Sequence, residues 1–264
     1  MNVHKIKLHI GLEKPVHIAH ITDVHLCCAD NRDAHLLAHA EERTHVFYKE
    51  AGCIDETPYQ CFAAGLDYAG NNCDLTVITG DVFDFISQAN FDAVDAILKN
   101  RDYMFTAGNH EFCPRVGTPD SRARKGVIFH EIQAHFKGNM HFEARIVNGL
   151  NIVTMDNGYY NYSALQVKAL KKEIEKELPI VLFSHVPLTE PILNMERFHK
   201  DLIPDAYMME QTNAMLDLIA STRLIKASFA GHWHFGDEAV FRAAVPEYVT
   251  PGMFKNEMTH IVIY

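Results

Sequence analysis

Thr79-Gly80-Asp81-Val82-Phe83-Asp84 is the stretch from which the architecture of this chain can be worked out. It follows an apolar, β-branched run over residues 75–78, which predicts a buried strand that ends at Gly80. Because open α/β sheets bind ligands at the carboxyl ends of their strands, Asp81 is expected at the mouth of such a sheet. A carboxylate has two oxygens and can hold two cations at once. An isolated Gly-Asp pair after a strand more often forms only a turn.

The composition predicts one large soluble domain. The chain has 264 residues, 48% of them hydrophobic, and no linker or repeat divides residues 1–264. It has neither an apolar run long enough to cross a membrane nor a signal-peptide core, so we expect a cytoplasmic protein without a membrane partner. The six cysteines show no CxxC spacing, which favours free thiols.

The net charge bears on the class of partner. A formal charge of -10 argues against broad, sequence-independent binding to nucleic acid, which requires a positive surface. It does not exclude a nuclease whose metal ions supply the positive charge. A nucleic-acid partner is therefore not expected, and a small molecule is favoured.

The chain alternates strands with helices, which predicts an α/β fold. Helices are predicted at about 31–50, 58–72, 87–100, 121–136, 163–177 and 205–220. Hairpins are predicted over residues 3–22, around a turn at 11–15, and at Asn148-Gly149. In the helix at 163–177 the buried side is expected to carry Leu165, Leu170, Ile174 and Leu178.

Polar side chains follow five predicted strands at the point where each strand ends. Strand, helix and strand within residues 74–106 form a βαβ unit, whose parallel strands deliver their ends to one edge. Each polar fragment alone is more often a turn or a pair of solvated side chains. The recurrence indicates a metal site built from Asp23 with His25, Asp81 with Asp84, Asn109 with His110, His185, and His232 with His234.

The series Asp-x-His, Gly-Asp-x-x-Asp, Gly-Asn-His-Glu, His and Gly-His-x-His resembles the calcineurin-like metallophosphoesterases. All five blocks stand in order, and the resemblance extends from about residue 16 to residue 252. It implies a four-layer αββα sandwich of two mixed sheets flanked by helices. It also implies a first metal held by Asp23, His25, Asp81 and His234, and a second held by Asp81, Asn109, His185 and His232.

Mixed nitrogen and oxygen ligands suit two transition-metal ions such as Mn, Fe, Zn or Ni, and do not suit Ca. Two cations flanking one water lower its pKa and create a hydroxide for in-line attack on phosphorus. The expected substrate is a small phosphomonoester or phosphodiester, with nucleotide-like compounds favoured. The resemblance places His110 beside the leaving group, oriented by the carboxylate of Asp84 and able to protonate the departing oxygen. The alternative for His110 is a hydrogen bond without proton transfer.

One departure from the family pattern bears on the substrate. Phe85 stands where the phosphoprotein-phosphatase branch has an arginine, which favours the smaller bacterial-type phosphohydrolases and the cyclic-nucleotide phosphodiesterases. Substrate contacts are predicted for Asn109 and His110 beside the metals. They are also predicted for Arg115, in a loop with Arg122, Arg124 and Lys125, and for Arg197, in a 186–204 segment long enough to cover the site. An equally good interpretation is that the charged residues around Arg115 are simply solvated and contact no substrate. Cys27 and Cys28 could approach the metals, but small packed residues are the commoner case.

Three functions remain open at this point. The first is a dinuclear metal phosphohydrolase acting on a small phosphate ester. The second is a metal-dependent nuclease of the same family, which needs a basic stripe or an appended domain that the sequence does not indicate. The third is a metal-free interaction scaffold, which is disfavoured because such proteins lose ligands and every ligand position is filled here.

Overall fold

Two mixed β-sheets form the centre of the fold. The computed structural model describes residues 1–189 and 205–264. The first sheet has the strand order β1-β11-β2-β3-β4. Its strands are β1 (Asn2–Leu8), β2 (Val16–Ile21), β3 (Leu75–Ile78), β4 (Tyr103–Phe105) and β11 (Glu257–Ile263). β2, β3 and β4 run parallel, so they end at the same edge.

The second sheet has the strand order β5-β6-β7-β8-β10-β9. Its strands are β5 (Phe142–Val147), β6 (Leu150–Met155), β7 (Ile180–Phe183), β8 (Ile225–Ala230), β9 (Asp237–Phe241) and β10 (Val245–Val249). β6, β7 and β8 are mutually parallel and fully or almost fully buried, as expected for strands covered on both faces. The predicted turn at Asn148-Gly149 joins β5 to β6 as an antiparallel hairpin.

Six α-helices are described. They are α1 (Leu37–Glu50), α2 (Pro58–Asn72), α3 (Gln88–Leu98), α4 (Arg122–Gln133), α5 (Ala164–Ile174) and α6 (Ala206–Ser221). Local sequence explains where they begin: Thr57 and Ser163 each form a capping box with a glutamine three residues later. Ser87 caps α3 through its hydroxyl oxygen alone, which accepts the main-chain N–H of Asn90. None of the helices in the described ranges is long and apolar enough to cross a membrane.

Three apolar clusters separate the layers. Between the sheets lies a cluster that contains Ile18, Val77, Ile152, Phe183 and Phe229. The outer face of the first sheet is covered by α2, α3 and α4, and that of the second by α5 and α6. The order of layers is therefore helix, sheet, sheet, helix, which confirms the predicted αββα sandwich.

Two local predictions were wrong. Residues 3–22 do not form a hairpin, because β11 lies between β1 and β2 and pairs with both. The local pattern of residues 3–22 cannot show this, because the pairing is decided by the last strand of the chain, which takes the edge of β1 that β2 would otherwise occupy. In α5, Leu165 is 72% exposed, whereas Val167 and Leu170 are buried.

Candidate metal centre

The polar side chains that follow the parallel strands converge into two neighbouring groups. The first group comprises Asp23, His25 and His234, and the second comprises Asp81, His185 and His232. Within each group one nitrogen or oxygen atom per residue lies within 4.8 Å of the others. The resemblance implies the same two sets, with Asp81 added to the first and Asn109 to the second. A third, overlapping set of possible ligands joins His25, Asp81 and His110.

In the first group the ring nitrogens and a carboxylate face one another. Nε2 of His25 lies 3.0 Å from Nε2 of His234 and 3.9 Å from Oδ1 of Asp23. Nε2 of His234 lies 3.5 Å from the same oxygen of Asp23. Burial lowers the pKa of His234 to about 2, which keeps this imidazole neutral, as a metal ligand must be.

The second group is arranged around His185, which is completely buried. Its Nε2 lies 3.2 Å from Oδ2 of Asp81 and 3.1 Å from Nδ1 of His232. Its Nδ1 donates to the main-chain carbonyl of Thr79 at 2.8 Å. Burial disfavours a charge on His185, but the nearby carboxylate of Asp81 outweighs burial and raises the pKa of His185 to about 10. This position attracts positive charge.

Asp81 lies in the second group and within reach of the first. Its Oδ2 lies 3.2 Å from the ring of His185 and 3.9 Å from Nε2 of His25 in the first group. Its Oδ1 accepts a hydrogen bond from the main-chain N–H of His110 at 2.9 Å. The side chain is only 2% exposed. This is the arrangement expected of a carboxylate that bridges two cations.

The backbone is bent sharply at the candidate ligands. φ is positive at Asp23 (52°), His25 (53°), Asp81 (50°), His232 (72°) and His234 (59°). Each such residue other than glycine is strained by roughly 1 kcal/mol or more, and such strain persists only where the surroundings enforce it. After β3 the surroundings are tightly packed in part because of Gly80. A Cβ at this residue would lie 2.1 Å from the main-chain nitrogen of Gly108, so only glycine allows the two loops to come this close.

Glu111 fixes the ends of β3 and β4 relative to each other. Its buried carboxylate accepts main-chain N–H bonds from Asp81, Val82 and Gly108 at 2.9, 2.7 and 2.7 Å. The glutamate of the Gly-Asn-His-Glu block therefore holds the loop that carries Asp81 and does not enter either group.

The side chains that are present fit a pair of transition-metal ions. Oδ1 of Asp23 and Oδ1 of Asn109 are buried and accept no hydrogen bond from the described residues. Nδ1 of His25 faces the carboxylate of Asp84 at 3.1 Å, and Nδ1 of His185 faces a carbonyl, so both rings turn Nε2 towards the groups. Buried oxygens without donors, together with converging imidazole nitrogens, form a donor set typical of Mn, Fe or Zn sites.

A comparison with known families decides the classification. A family model described as calcineurin-like phosphoesterase matches residues 16–236, which include every residue of both groups. The chain belongs to the calcineurin-like phosphoesterase family. It is therefore a hydrolase that acts on phosphate esters.

Two solved structures share the fold of this phosphoesterase. A dimetal phosphatase from Danio rerio superposes with a TM-score of 0.52 at 13% identity, over 92% of this chain and 89% of its own. A purple acid phosphatase from yellow lupin (Lupinus luteus) superposes with a TM-score of 0.56 at 10% identity, over 89% of this chain and 44% of its own. At these identities the likeness establishes the fold alone. No curated protein sequence matches this chain.

His110 and Asp84 lie beside the first group of this phosphoesterase. The ring of His110 is 4.8 Å from that of His25, centroid to centroid. Nδ1 of His110 donates to the main-chain carbonyl of Asp84 at 2.8 Å, while the Asp84 carboxylate is 3.6 Å away. That carboxylate instead contacts His25 and Arg43. Asp84 thus orients His110 through its backbone, which differs from the side-chain contact that the resemblance implies.

The charges around His110 favour its protonated form. Burial lowers the pKa of His110, but the negative charges of Asp81 and Asp84 outweigh burial, so its pKa lies above the ordinary value. Burial likewise raises the pKa of Asp84, but hydrogen bonds from His25 and Arg43 reverse this and bring it to about 2. Asp84 is therefore a carboxylate throughout the physiological range.

The structure describes only some of the residues predicted to contact substrate or to approach the metals. Arg115 is exposed in the loop after the 3-10 helix His110–Phe112, and its contact with substrate stays a prediction. Arg197 lies outside the described residues, as does most of the 186–204 segment. Cys27 is a buried free thiol that packs with Leu36 and Phe85 and bonds Thr44, as expected of a small packed residue.

Sequence reasoning missed the segment that follows β6. The side-chain oxygen of Asn157 accepts the main-chain N–H of His185 at 3.1 Å, and the hydroxyl of Tyr160 lies 2.8 Å from Nε2 of His232. Asp156-Asn157 is a sixth polar pair at the end of a predicted strand, and that signal would have identified the segment.

We expect Tyr160→Phe to weaken metal binding by the second group about tenfold. The substitution removes the hydroxyl that contacts Nε2 of His232 and so helps to turn its Nδ1 towards His185. Manganese titration followed by electron paramagnetic resonance measures the effect. Tyr207→Phe, at a residue 61% exposed, is the matched control. An unchanged affinity in Tyr160→Phe would show that the tyrosine does not orient the histidine.

Proposed function

We propose that this phosphoesterase is a dinuclear metal phosphohydrolase that cleaves a phosphomonoester or phosphodiester of a small, nucleotide-like molecule. The single observation that supports it best is the position of Asp81, whose Oδ2 lies 3.2 Å from His185 and 3.9 Å from His25. One carboxylate within reach of two separate ligand groups is the requirement for a shared pair of metal ions.

In this proposal the first ion is held by Asp23, His25, His234 and Asp81. The second is held by Asp81, Asn109, His185 and His232. When bound, such a pair supplies positive charge to phosphate oxygens and lowers the pKa of a water between the ions. The protein contributes a fixed, mostly buried cage that does not have to reorganise when charge develops.

His110 is proposed to act on the leaving group. Its Nδ1 is held by the carbonyl of Asp84, so its orientation is fixed and Nε2 carries the transferable proton. Its side chain is 20% exposed, so a substrate can reach it. Asp84 is a positioning residue for both His110 and His25.

The role of His110 can be tested with leaving groups of different basicity. We expect His110→Asn to lower kcat about a hundredfold on an alkyl phosphate, whose departing oxygen needs a proton. On 4-nitrophenyl phosphate, whose leaving group departs without one, the loss should be much smaller. An equal loss on both substrates would assign His110 to phosphate binding and contradict proton transfer.

The proposed function itself is tested by a substrate screen of the purified, metal-loaded protein. Phosphomonoesters, cyclic nucleotides, nucleotide diesters and single-stranded DNA are offered with Mn²⁺, Zn²⁺, Fe²⁺ or Ni²⁺. We expect metal-dependent release of phosphate or nucleotide from at least one small ester and little cleavage of DNA. Preferential cleavage of DNA would favour the nuclease alternative, and no hydrolysis of any ester would contradict the proposal.

A further inference from the structure

The helix α1 lies outside the five sequence blocks, yet one of its faces contacts the first ligand group. Arg43, Phe47 and Glu50 stand at positions i, i+4 and i+7, which places them on a single face. Each of the three touches a residue of the first group or the carboxylate that orients it. We call these three residues the α1 face.

Arg43 contacts Asp84 with the geometry of a clamp. Its Nε donates to Oδ2 of Asp84 at 2.7 Å and its Nη2 donates to Oδ1 at 3.0 Å. Asp84 is completely buried, and a buried carboxylate is retained only where it is paired and hydrogen-bonded. Oδ1 of Asp84 also faces Nδ1 of His25 at 3.1 Å. The bidentate pair therefore fixes the oxygen that sets the tautomer of His25.

Phe47 supports the same imidazole from one of its faces. The rings of Phe47 and His25 are stacked, with centroids 4.8 Å apart and planes inclined by 27°. The guanidinium carbon of Arg43 lies 4.8 Å from the centroid of Phe47, so the phenyl ring contacts both the arginine and the imidazole. The stacked phenyl ring restricts rotation of the His25 ring.

Glu50 reaches the other imidazole of the first group. Its Oε2 lies 3.7 Å from Nδ1 of His234, whose Nε2 faces Asp23. A carboxylate behind a ligating histidine holds the proton on the far nitrogen and turns the near nitrogen towards the metal. At 3.7 Å Glu50 makes an electrostatic contact with His234 and not a hydrogen bond, so α1 contacts both histidines of the first group but holds His25 more firmly.

We propose that the α1 face, formed by Arg43, Phe47 and Glu50, is a positioning surface that sets the metal affinity of the first ligand group separately from that of the second. The inference rests on the proposed dinuclear function. The second group has its own supports, the carbonyl of Thr79 behind His185 and the hydroxyl of Tyr160 behind His232. The two metal positions can therefore differ in affinity, so that one is filled before the other.

The consequence is that metal affinity at the first ligand group depends on α1, a helix that contains none of the five sequence blocks. Removing a group that orients a metal ligand typically costs ten- to a hundredfold in metal affinity. We expect Arg43→Met and Glu50→Gln each to lower Mn²⁺ affinity at one position about tenfold, while the other position keeps its wild-type affinity.

The test compares metal binding in matched variants. Mn²⁺ is titrated into metal-free Arg43→Met, Glu50→Gln and wild-type protein. Stoichiometry is read from isothermal titration calorimetry, and the spin-coupled signal of a manganese pair from electron paramagnetic resonance. Lys49→Met and Glu41→Gln make the same charge changes at exposed residues of the same helix and serve as controls. Glu50 is 47% exposed at its side chain, so its substitution does not threaten the fold.

The expected result is a loss of the coupled signal at metal concentrations that saturate wild-type protein, with one Mn²⁺ per chain retained. A double-mutant cycle tests whether Arg43 acts through Asp84. If it does, Arg43→Met should lower Mn²⁺ affinity little further in protein that already carries Asp84→Asn. Wild-type affinities at both positions in Arg43→Met and Glu50→Gln would overturn the inference. Failure of wild-type protein to bind a metal pair would instead overturn the proposed function, which keeps the two outcomes distinct.

Discussion

Asp81→Asn is expected to lower kcat by about a thousandfold or more, equivalent to at least about 4 kcal/mol of transition-state stabilisation. Asparagine is neutral and offers one oxygen, so it cannot serve both ligand groups as the carboxylate can. It should nevertheless fold, because asparagine tolerates the positive φ of 50° and its oxygen can still accept the N–H of His110. Steady-state hydrolysis of an aryl phosphate at saturating Mn²⁺ measures the effect.

The matched control for this variant is Asp67→Asn. Asp67 is an exposed carboxylate whose ion pair with Arg101 lies on the surface, where such pairs contribute little. It should keep wild-type kcat. If Asp81→Asn also kept wild-type kcat with an intact circular dichroism spectrum, the carboxylate would not be part of the catalytic centre.

Glu111→Ala is expected to have the largest effect on stability. The substitution leaves the buried main-chain N–H groups of Asp81, Val82 and Gly108 without their shared acceptor, and also that of Phe83, which is bonded more weakly at 3.4 Å. Each unsatisfied buried donor costs about 1–3 kcal/mol, so the free energy of unfolding should fall by about 3 kcal/mol or more. Urea denaturation followed by circular dichroism measures this change.

Activity should fall together with stability in Glu111→Ala, because the strained loop that carries Asp81 loses its support. Glu131→Ala, at an exposed residue of α4, is the control and should change the free energy of unfolding by less than about 0.5 kcal/mol. A Glu111→Ala variant as stable as the control would show that the glutamate does not hold the two strand ends together.

The order of strands and helices and the convergence of the ligand groups could be predicted from sequence, because both depend on local signals. Buried β-branched runs marked β3 and β7, and a polar residue directly after each run marked the shared edge. The four-layer arrangement came from the resemblance, since the periodicity of single segments does not say how two sheets stack. β11 shows the limit: its insertion between β1 and β2 depends on a pairing between residues more than 230 positions apart.

The supports of the site were harder to predict than the ligands. In the sequence, Arg43 and Glu50 have the pattern of ordinary charged residues of an amphipathic helix. Only tertiary packing brings them to Asp84 and His234. The link between Asp84 and His110 was predicted through the side chain, but the backbone carbonyl makes the hydrogen bond. Such details depend on loop conformation, in particular on the positive φ values that no sequence pattern specified.

The most direct measurement is a crystal structure of manganese-loaded protein with anomalous scattering recorded at the manganese edge. Two anomalous peaks are predicted, one among Asp23, His25 and His234 and one among Asp81, His185 and His232, with Asp81 touching both. No peak at either group in protein that has been loaded with Mn²⁺ would contradict a dinuclear phosphohydrolase.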